Sequence, residues 1–133
     1  MKTLLAIAIA LAAAPADGQA ERRITGRAER ATHDCRRDRT VLVGGRSSRI
    51  TVVGRCELVQ VTGDRNRVTI RAGQFVLVTG HQNQVRVAAT DAIRVSGGHN
   101  EITYGRSLSR TQAIRVTSTG PSNLIRRTPA SRR

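Results

Sequence analysis

An all-β solenoid, a short parallel β-helix-like rod of about five coils of 17 residues, is the fold the sequence predicts, and three observations point to it. The first is a repeat: VTGDRNRVTI (61–70) returns as VGGRSSRITV (43–52), VTGHQNQVRV (78–87), VSGGHNEITY (95–104) and, degenerately, VTSTGPSNLI (116–125). The second is its period, since the fourth turn position (Ser48, Asn66, Asn83, Asn100, Asn123) recurs at intervals of 18, 17, 17 and 23 residues, as in repeat architectures. The third is alternation of apolar and polar residues on both sides of each turn, the pattern of half-buried strands. The alternative is an antiparallel β-sandwich of hairpins. Equal spacing with one residue type in each register favours the solenoid, because stacked coils must superpose and hairpins need not.

Residues 1–20, MKTLLAIAIALAAAPADGQA, hold one lysine, an apolar run from Leu4 to Ala14 and small residues suited to cleavage after Ala16 or Ala20. This is the composition of a secretory signal peptide, and the run is short of the roughly 20 apolar residues a spanning helix needs. A periplasmic or secreted protein without a transmembrane segment is therefore expected. The basic segment 21–34, ERRITGRAERATHD, is expected to be an N-terminal arm or cap. Residues 35–125 form the repeat domain and 126–133, RRTPASRR, a solvated basic tail.

Within the repeats the inward set is Val41, Val43, Ile50, Val52, Val59, Val61, Val68, Ile70, Val76, Val78, Val85, Val87, Ile93, Val95, Ile102, Tyr104, Ile114, Val116 and Ile125. Nearly all are β-branched, which suits a pleated surface better than a helix. Gly45, Gly63, Gly80, Gly97 and Gly120 supply a tight corner. The asparagines Asn66, Asn83, Asn100 and Asn123 either adopt a left-handed conformation or stack as an amide ladder from coil to coil. The 23-residue interval is assigned to the insertion GRSLSRTQ (105–112) and to two extra residues ahead of Gly120. Cys35 and Cys56 are the two cysteines of the chain. In an oxidising compartment an even pair is most simply one disulfide, here between equivalent positions of neighbouring coils; two thiols without further ligands make a poor zinc site.

Asp34-Cys35, the Cys56 that opens the second unit, and the recurring V-[TS]-G-x-x-N-x-[VI] resemble the secreted bacterial family catalogued as domain of unknown function 3060. The similarity covers about residues 34–125. It implies an exported envelope or secreted protein and brings no established activity, and the arginine content departs from that of many members.

Chemistry-bearing motifs are sparse. There is no nucleophile elbow, phosphate-binding loop, zinc-protease helix or calcium nonapeptide, and neither metal nor cofactor is expected. His33, His81 and His99 fall at unmatched positions. Glu57, Gln74 and Asp91 share one column, which sets Glu57 and Asp91 two coils apart, about 9 to 10 Å, near the carboxylate spacing of inverting glycosidases. A polysaccharide hydrolase is thus the alternative to a non-enzymatic module, although long cleft-forming loops and sugar-stacking aromatics are missing. Thr51, Thr69 and Thr103 could form an ice-binding column, but Arg86 interrupts it.

From residue 21 onward there are 22 arginines, no lysine and eight acidic side chains, a net charge of +14. A field of this size attracts polyanions. The columns Leu42, Gln60, Leu77, Arg94, Arg115 and Arg49, Arg67, Gln84, Glu101, Leu124 each set two arginines on adjacent coils. Arg49, Arg67, Arg94 and Arg115 are accordingly the candidate binding residues for an anionic envelope polymer or acidic polysaccharide, which guanidinium groups can engage bidentately. Specific nucleic-acid recognition is not expected: Phe75 and Tyr104 are the only aromatics, too few for a base-stacking platform.

Overall fold

A computed structural model describes residues 21–109 and 111–128. The expected signal peptide, residues 1–20, and the end of the basic segment, residues 129–133, lie outside the described residues. Nine strands follow one another: β1 (Glu21–Ile24), β2 (Arg30–Asp34), β3 (Thr40–Val43), β4 (Arg49–Val61), β5 (Arg67–His81), β6 (Gln84–Gly98), β7 (Glu101–Ser107), β8 (Arg115–Ser118) and β9 (Leu124–Arg127). Every pairing is parallel, so the chain is a β-solenoid and not a sandwich of hairpins.

The long strands β4, β5 and β6 each wrap around two faces of the rod. Their first halves continue a face begun by β2 and ended by β7 and β9, hereafter the leading face. Their second halves continue a trailing face begun by β1 and β3 and ended by β8. Between the faces lies the core of Val, Ile and the two cysteines. All the inward residues named above from Val41 to Ile102 are buried, and Tyr104 and Ile125 pack partly buried against them.

The structure differs from three of these expectations. Residues 21–34 are neither an arm nor a separate cap: Glu21–Ile24 pair with Thr40–Val43 and Arg30–Asp34 with Arg49–Val53, so the segment is a further coil whose Ile24 joins the core. Arg126 and Arg127 are not in a solvated tail but in β9, opposite Thr103 and Tyr104. In the last coil Val116 stands opposite Ile93 and is 39% exposed, while Ile114 precedes the strand, so neither takes the inward place expected of it.

The irregular intervals now have physical causes. The 18-residue coil contains one extra residue, Gly54, at a register shift between Val52 and Arg55; its φ of 83° is open to glycine and strained for other residues. The 23-residue coil carries all six of its extra residues at one corner, because Thr90 pairs with Ser107 and Ala92 with Arg115. None lies ahead of Gly120. That corner loop is tied back to the coil below it, Leu108 N–H donating to Thr90 O (3.2 Å) and Ser109 N–H to Asp91 Oδ1 (3.0 Å).

Cys35 and Cys56 form a disulfide, both buried, with Cα atoms 5.2 Å apart. Cys56 stands at the corner column that continues as Gly73, Thr90 and Ser107. Just before the bond, Asp34 accepts from the Arg36 N–H (2.9 Å) and pairs with its guanidinium, which holds the Asp34 carboxyl below its ordinary range. The bond closes a loop of 21 residues in sequence, and replacing both cysteines by alanine is expected to lower stability by about 3 kcal/mol. Hydrogen exchange should show the loss concentrated in residues 21–43, since an end coil has a neighbour on one side only.

Candidate anion-binding face

The turns that join the trailing face to the leading face set the register of everything on the surface. Residues just before the fourth turn position, Ala28, Ser47, Arg65, Gln82, His99 and Ser122, carry the left-handed backbone, with φ of 53–59°. The asparagines themselves do not. The side chains of Asn66, Asn83 and Asn100 are buried instead and that of Asn123 is partly buried, and each works as a two-sided clamp. Asn83 Oδ1 accepts from the Asn66 N–H (3.0 Å), while its Nδ2 donates to Gly63 O (3.0 Å) and to Asn100 Oδ1 (3.2 Å). Asn66, Asn100 and Asn123 repeat the contacts to the preceding coil. Below Asn66 the column continues with Ser48, whose Oγ accepts from the Glu29 N–H (3.1 Å), and with Glu29, whose carboxylate accepts from the Gly26 N–H (3.1 Å). No buried side-chain polar atom among the described residues lacks a partner.

The glycine column makes the clamp possible. Gly63, Gly80, Gly97 and Gly120 all have positive φ, and at Gly80 (φ 128°) a Cβ would overlap the carbonyl oxygen of Gly63. Backbone therefore lies directly on backbone at this corner, and successive coils are locked in register.

That register puts arginines in rows. On the leading face Arg30, Arg49 and Arg67 are mutual partners on three adjacent coils, followed by Gln84, Glu101 and Leu124. Two residues along each strand runs a second outward column, Thr32, Thr51, Thr69, Arg86, Thr103 and Arg126. Arg67 Nε donates to Gln84 Oε1 (3.1 Å), which holds that guanidinium along the column. Of the 19 arginines among the described residues, only Arg23, Arg36, Arg39 and Arg46 lie within 4.0 Å of a carboxylate. Like charges directly opposite one another in a sheet are unfavourable, so the Arg30–Arg49–Arg67 row is an arrangement that an anion would relieve.

The second expected arginine pair is not brought together. Arg94 stands opposite Thr117, and Arg115 opposite Ala92, two residues away along the trailing face. Val116 is the register partner of Ile93 and not of Val95, Thr119 N–H donates to Val95 O (2.8 Å) and Gly120 packs on Gly97. The trailing face carries Leu42, Gln60, Leu77 and the 49%-exposed Phe75 in place of an arginine row.

The carboxylates Glu57 and Asp91 do share a column with Gln74 between them, as the flanking pairs Cys56–Gly73–Thr90 and Leu58–Phe75–Ala92 require. Each has a partner: Glu57 Oε2 accepts from Arg39 (3.0 Å), and Asp91 caps the Ser109 amide. His33 Nε2 is hydrogen-bonded to Asp38 O (3.0 Å), and His81 lies 3.9 Å from the Asp64 carboxylate. No cluster of three metal-ligating side chains occurs among the described residues.

Sequence reasoning missed two groups. Arg30 and Thr32 extend both leading-face columns, and their signal was present: ITGRAERAT (24–32) is a further copy of the repeat with Glu29 at the asparagine position. Arg106 and Arg127 carry no sequence signal, because the place of each depends on where a coil ends.

Fold and surface together define a short parallel β-solenoid held by an internal amide ladder, with one outward face rich in arginine and threonine. A family model described as "Protein of unknown function (DUF3060)" matches residues 43–80 and 73–120, more than half of the chain, and the protein belongs to that family. No curated protein and no solved structure matches the chain.

Proposed function

We propose that this protein is an exported, non-catalytic binding module whose leading face holds an anionic polymer, such as an acidic polysaccharide of the envelope or extracellular space. The observation that carries this reading is the Arg30–Arg49–Arg67 row, three guanidinium groups on adjacent coils with no carboxylate within 4.0 Å and Thr32, Thr51 and Thr69 beside them. Their backbone spacing of about 4.8 Å is set by the sheet, so the ordering needed to present the charges in series is complete before the ligand arrives. A polymer with regularly placed carboxylates meets this row with charge-assisted hydrogen bonds, and the threonine hydroxyls can serve its neutral oxygens. The disulfide fits an oxidising compartment, and no described helix is long and apolar enough to cross a membrane.

The test separates a face from mere charge. Retention on immobilised polygalacturonate at about 0.5 M salt, where long-range attraction is screened, is expected to drop sharply for Arg49→Gln with Arg67→Gln. It should be unchanged for Arg94→Gln with Arg115→Gln, which removes the same charge from the trailing face. Equal losses in the two double variants, or release of the unaltered protein by salt as for any polycation, would refute the reading. Without ligand, Arg49→Gln with Arg67→Gln should leave the fold as stable as before or more stable by about 0.2 to 1 kcal/mol, because it removes a like-charge pair.

A further inference from the structure

Near the end of the leading face, at the corner where β5, β6 and β7 turn toward the trailing face, runs an open groove of about 780 Å³. Its origin is a change of side-chain size along one column: Arg71 on one coil is followed by Ala88, Gly105 and Thr128 on the next three, in positions fixed by the pairs Ile70–Val87–Tyr104–Arg127 and Ala72–Ala89–Arg106. Ala88 and Gly105 form the floor, and at Gly105 a Cβ would overlap the Ala88 carbonyl oxygen, so the floor stays low.

Three arginines line this trough from three different coils: Arg86 on β6, Arg106 on β7 and Arg127 on β9. All three are exposed, and none lies within 4.0 Å of a described carboxylate. Arg127 is the telling member. Its register partners Ile70 and Val87 are core residues and Tyr104 packs against the core, whereas Arg127, in the last described coil, is exposed. Thr69 and Thr103 add hydroxyls on the leading-face side of the groove, and no acidic side chain lines it.

We infer that this groove is a discrete site for a multiply charged phosphate group, a diphosphate or a pair of neighbouring phosphates. Three guanidinium groups lining one groove repel one another, and one carboxylate would leave most of that charge uncompensated, whereas a diphosphate brings two to three negative charges and several acceptor oxygens to the same place. Guanidinium forks match phosphate geometry bidentately, and the threonine hydroxyls can complete the shell. The site adds to the polymer-binding face a second locus with a different preference, phosphate over carboxylate. Either a phosphorylated lipid headgroup or a soluble phosphate chain could supply the group.

Calorimetric titration of the protein with inorganic pyrophosphate tests this. One equivalent should bind, with inorganic phosphate weaker and monomeric galacturonate unable to displace it. Arg86→Gln with Arg106→Gln should weaken binding by about tenfold or more, as expected for losing two charge-assisted contacts. Ala88→Leu should weaken it by about fivefold or more at unchanged charge, since an exposed floor residue can grow into the groove without touching the core. Arg94→Gln with Arg115→Gln should stay within about twofold, because its charges are remote and screened. Displacement by lipid A vesicles but not by phosphatidylcholine vesicles assigns the phosphate to a lipid, and displacement by soluble polyphosphate alone assigns it to a free chain. The inference is overturned if the trailing-face variant weakens binding as much as Arg86→Gln with Arg106→Gln, if Ala88→Leu has no effect, or if galacturonate displaces pyrophosphate. Failure of pyrophosphate to bind while polygalacturonate retention still depends on Arg49 and Arg67 removes the groove and leaves the face standing.

Discussion

Replacing Asn83 by alanine is expected to destabilise the protein by about 3 to 5 kcal/mol, more than any substitution on the outer faces. The change leaves the buried Asn66 N–H without the acceptor that now sits 3.0 Å away, and removes the donations to Gly63 O and Asn100 Oδ1. An orphaned buried donor costs about 1 to 3 kcal/mol, and each further lost bond about 1 kcal/mol. Urea unfolding should show a lower midpoint at unchanged slope. Asn83→Asp makes a sharper test of the same geometry, because its shape is kept. Its second oxygen would face Gly63 O and Asn100 Oδ1 with nothing to donate, so the variant should be as unstable as Asn83→Ala at neutral pH. The carboxyl would be raised above its unfolded value by burial beside acceptors, so stability should return as pH falls and the acid gains a proton to donate. Gln84→Ala, one residue on and outward-facing, should change stability by no more than about 0.5 kcal/mol.

The second large effect is expected at Gly80. Alanine there would hold a side chain at φ 128°, and its Cβ would overlap the Gly63 carbonyl oxygen. Neither problem can be relieved by a rotamer change, since the obstacle is backbone that itself accepts from the His81 N–H (3.2 Å). A loss of at least about 3 kcal/mol is expected, or failure to fold, from a forbidden conformation combined with a backbone clash. Gly98→Ala is the matched control: its φ is not positive, and a Cβ there meets only the His81 ring carbon at 3.3 Å and Pro121 at 3.6 Å. Comparable loss at both positions would show that the ladder corner is not special.

The stacked architecture was readable because period and alternation are local properties. Val59, Val61, Val68 and Ile70 state which way each strand faces, and the 17-residue spacing of Asn66, Asn83 and Asn100 states that coils superpose. Reading failed where one residue type stood in for another. Glu29 occupies an asparagine place, but its carboxylate accepts from the Gly26 N–H of its own turn where the asparagines reach the neighbouring coil, and this substitution hid a whole coil inside a segment that looked like a basic arm. It failed again where spacing was ambiguous: the six extra residues of the 23-residue coil could be divided in several ways along it, and the pairing of β6 with β8 and the packing of Gly120 on Gly97 fix the division. The Arg94–Arg115 pair disappeared with that slip, whereas Arg49 and Arg67, one regular coil apart, stayed together. The groove was invisible for a different reason. Arg86, Arg106 and Arg127 lie in three separate columns and line one groove because Ala88 and Gly105 leave room between them.

Because every contact of the amide clamp runs between nearest neighbours, residues 67–83 contain a complete unit: one strand with its two bends, one glycine corner and one asparagine. Tandem duplication of this segment would lengthen the rod by a single step of about 4.8 Å and reproduce each bond at both new junctions. The protein's length, and with it the number of surface arginines it displays, can therefore be changed in whole increments by copying its own gene segment, with no redesign of the interior.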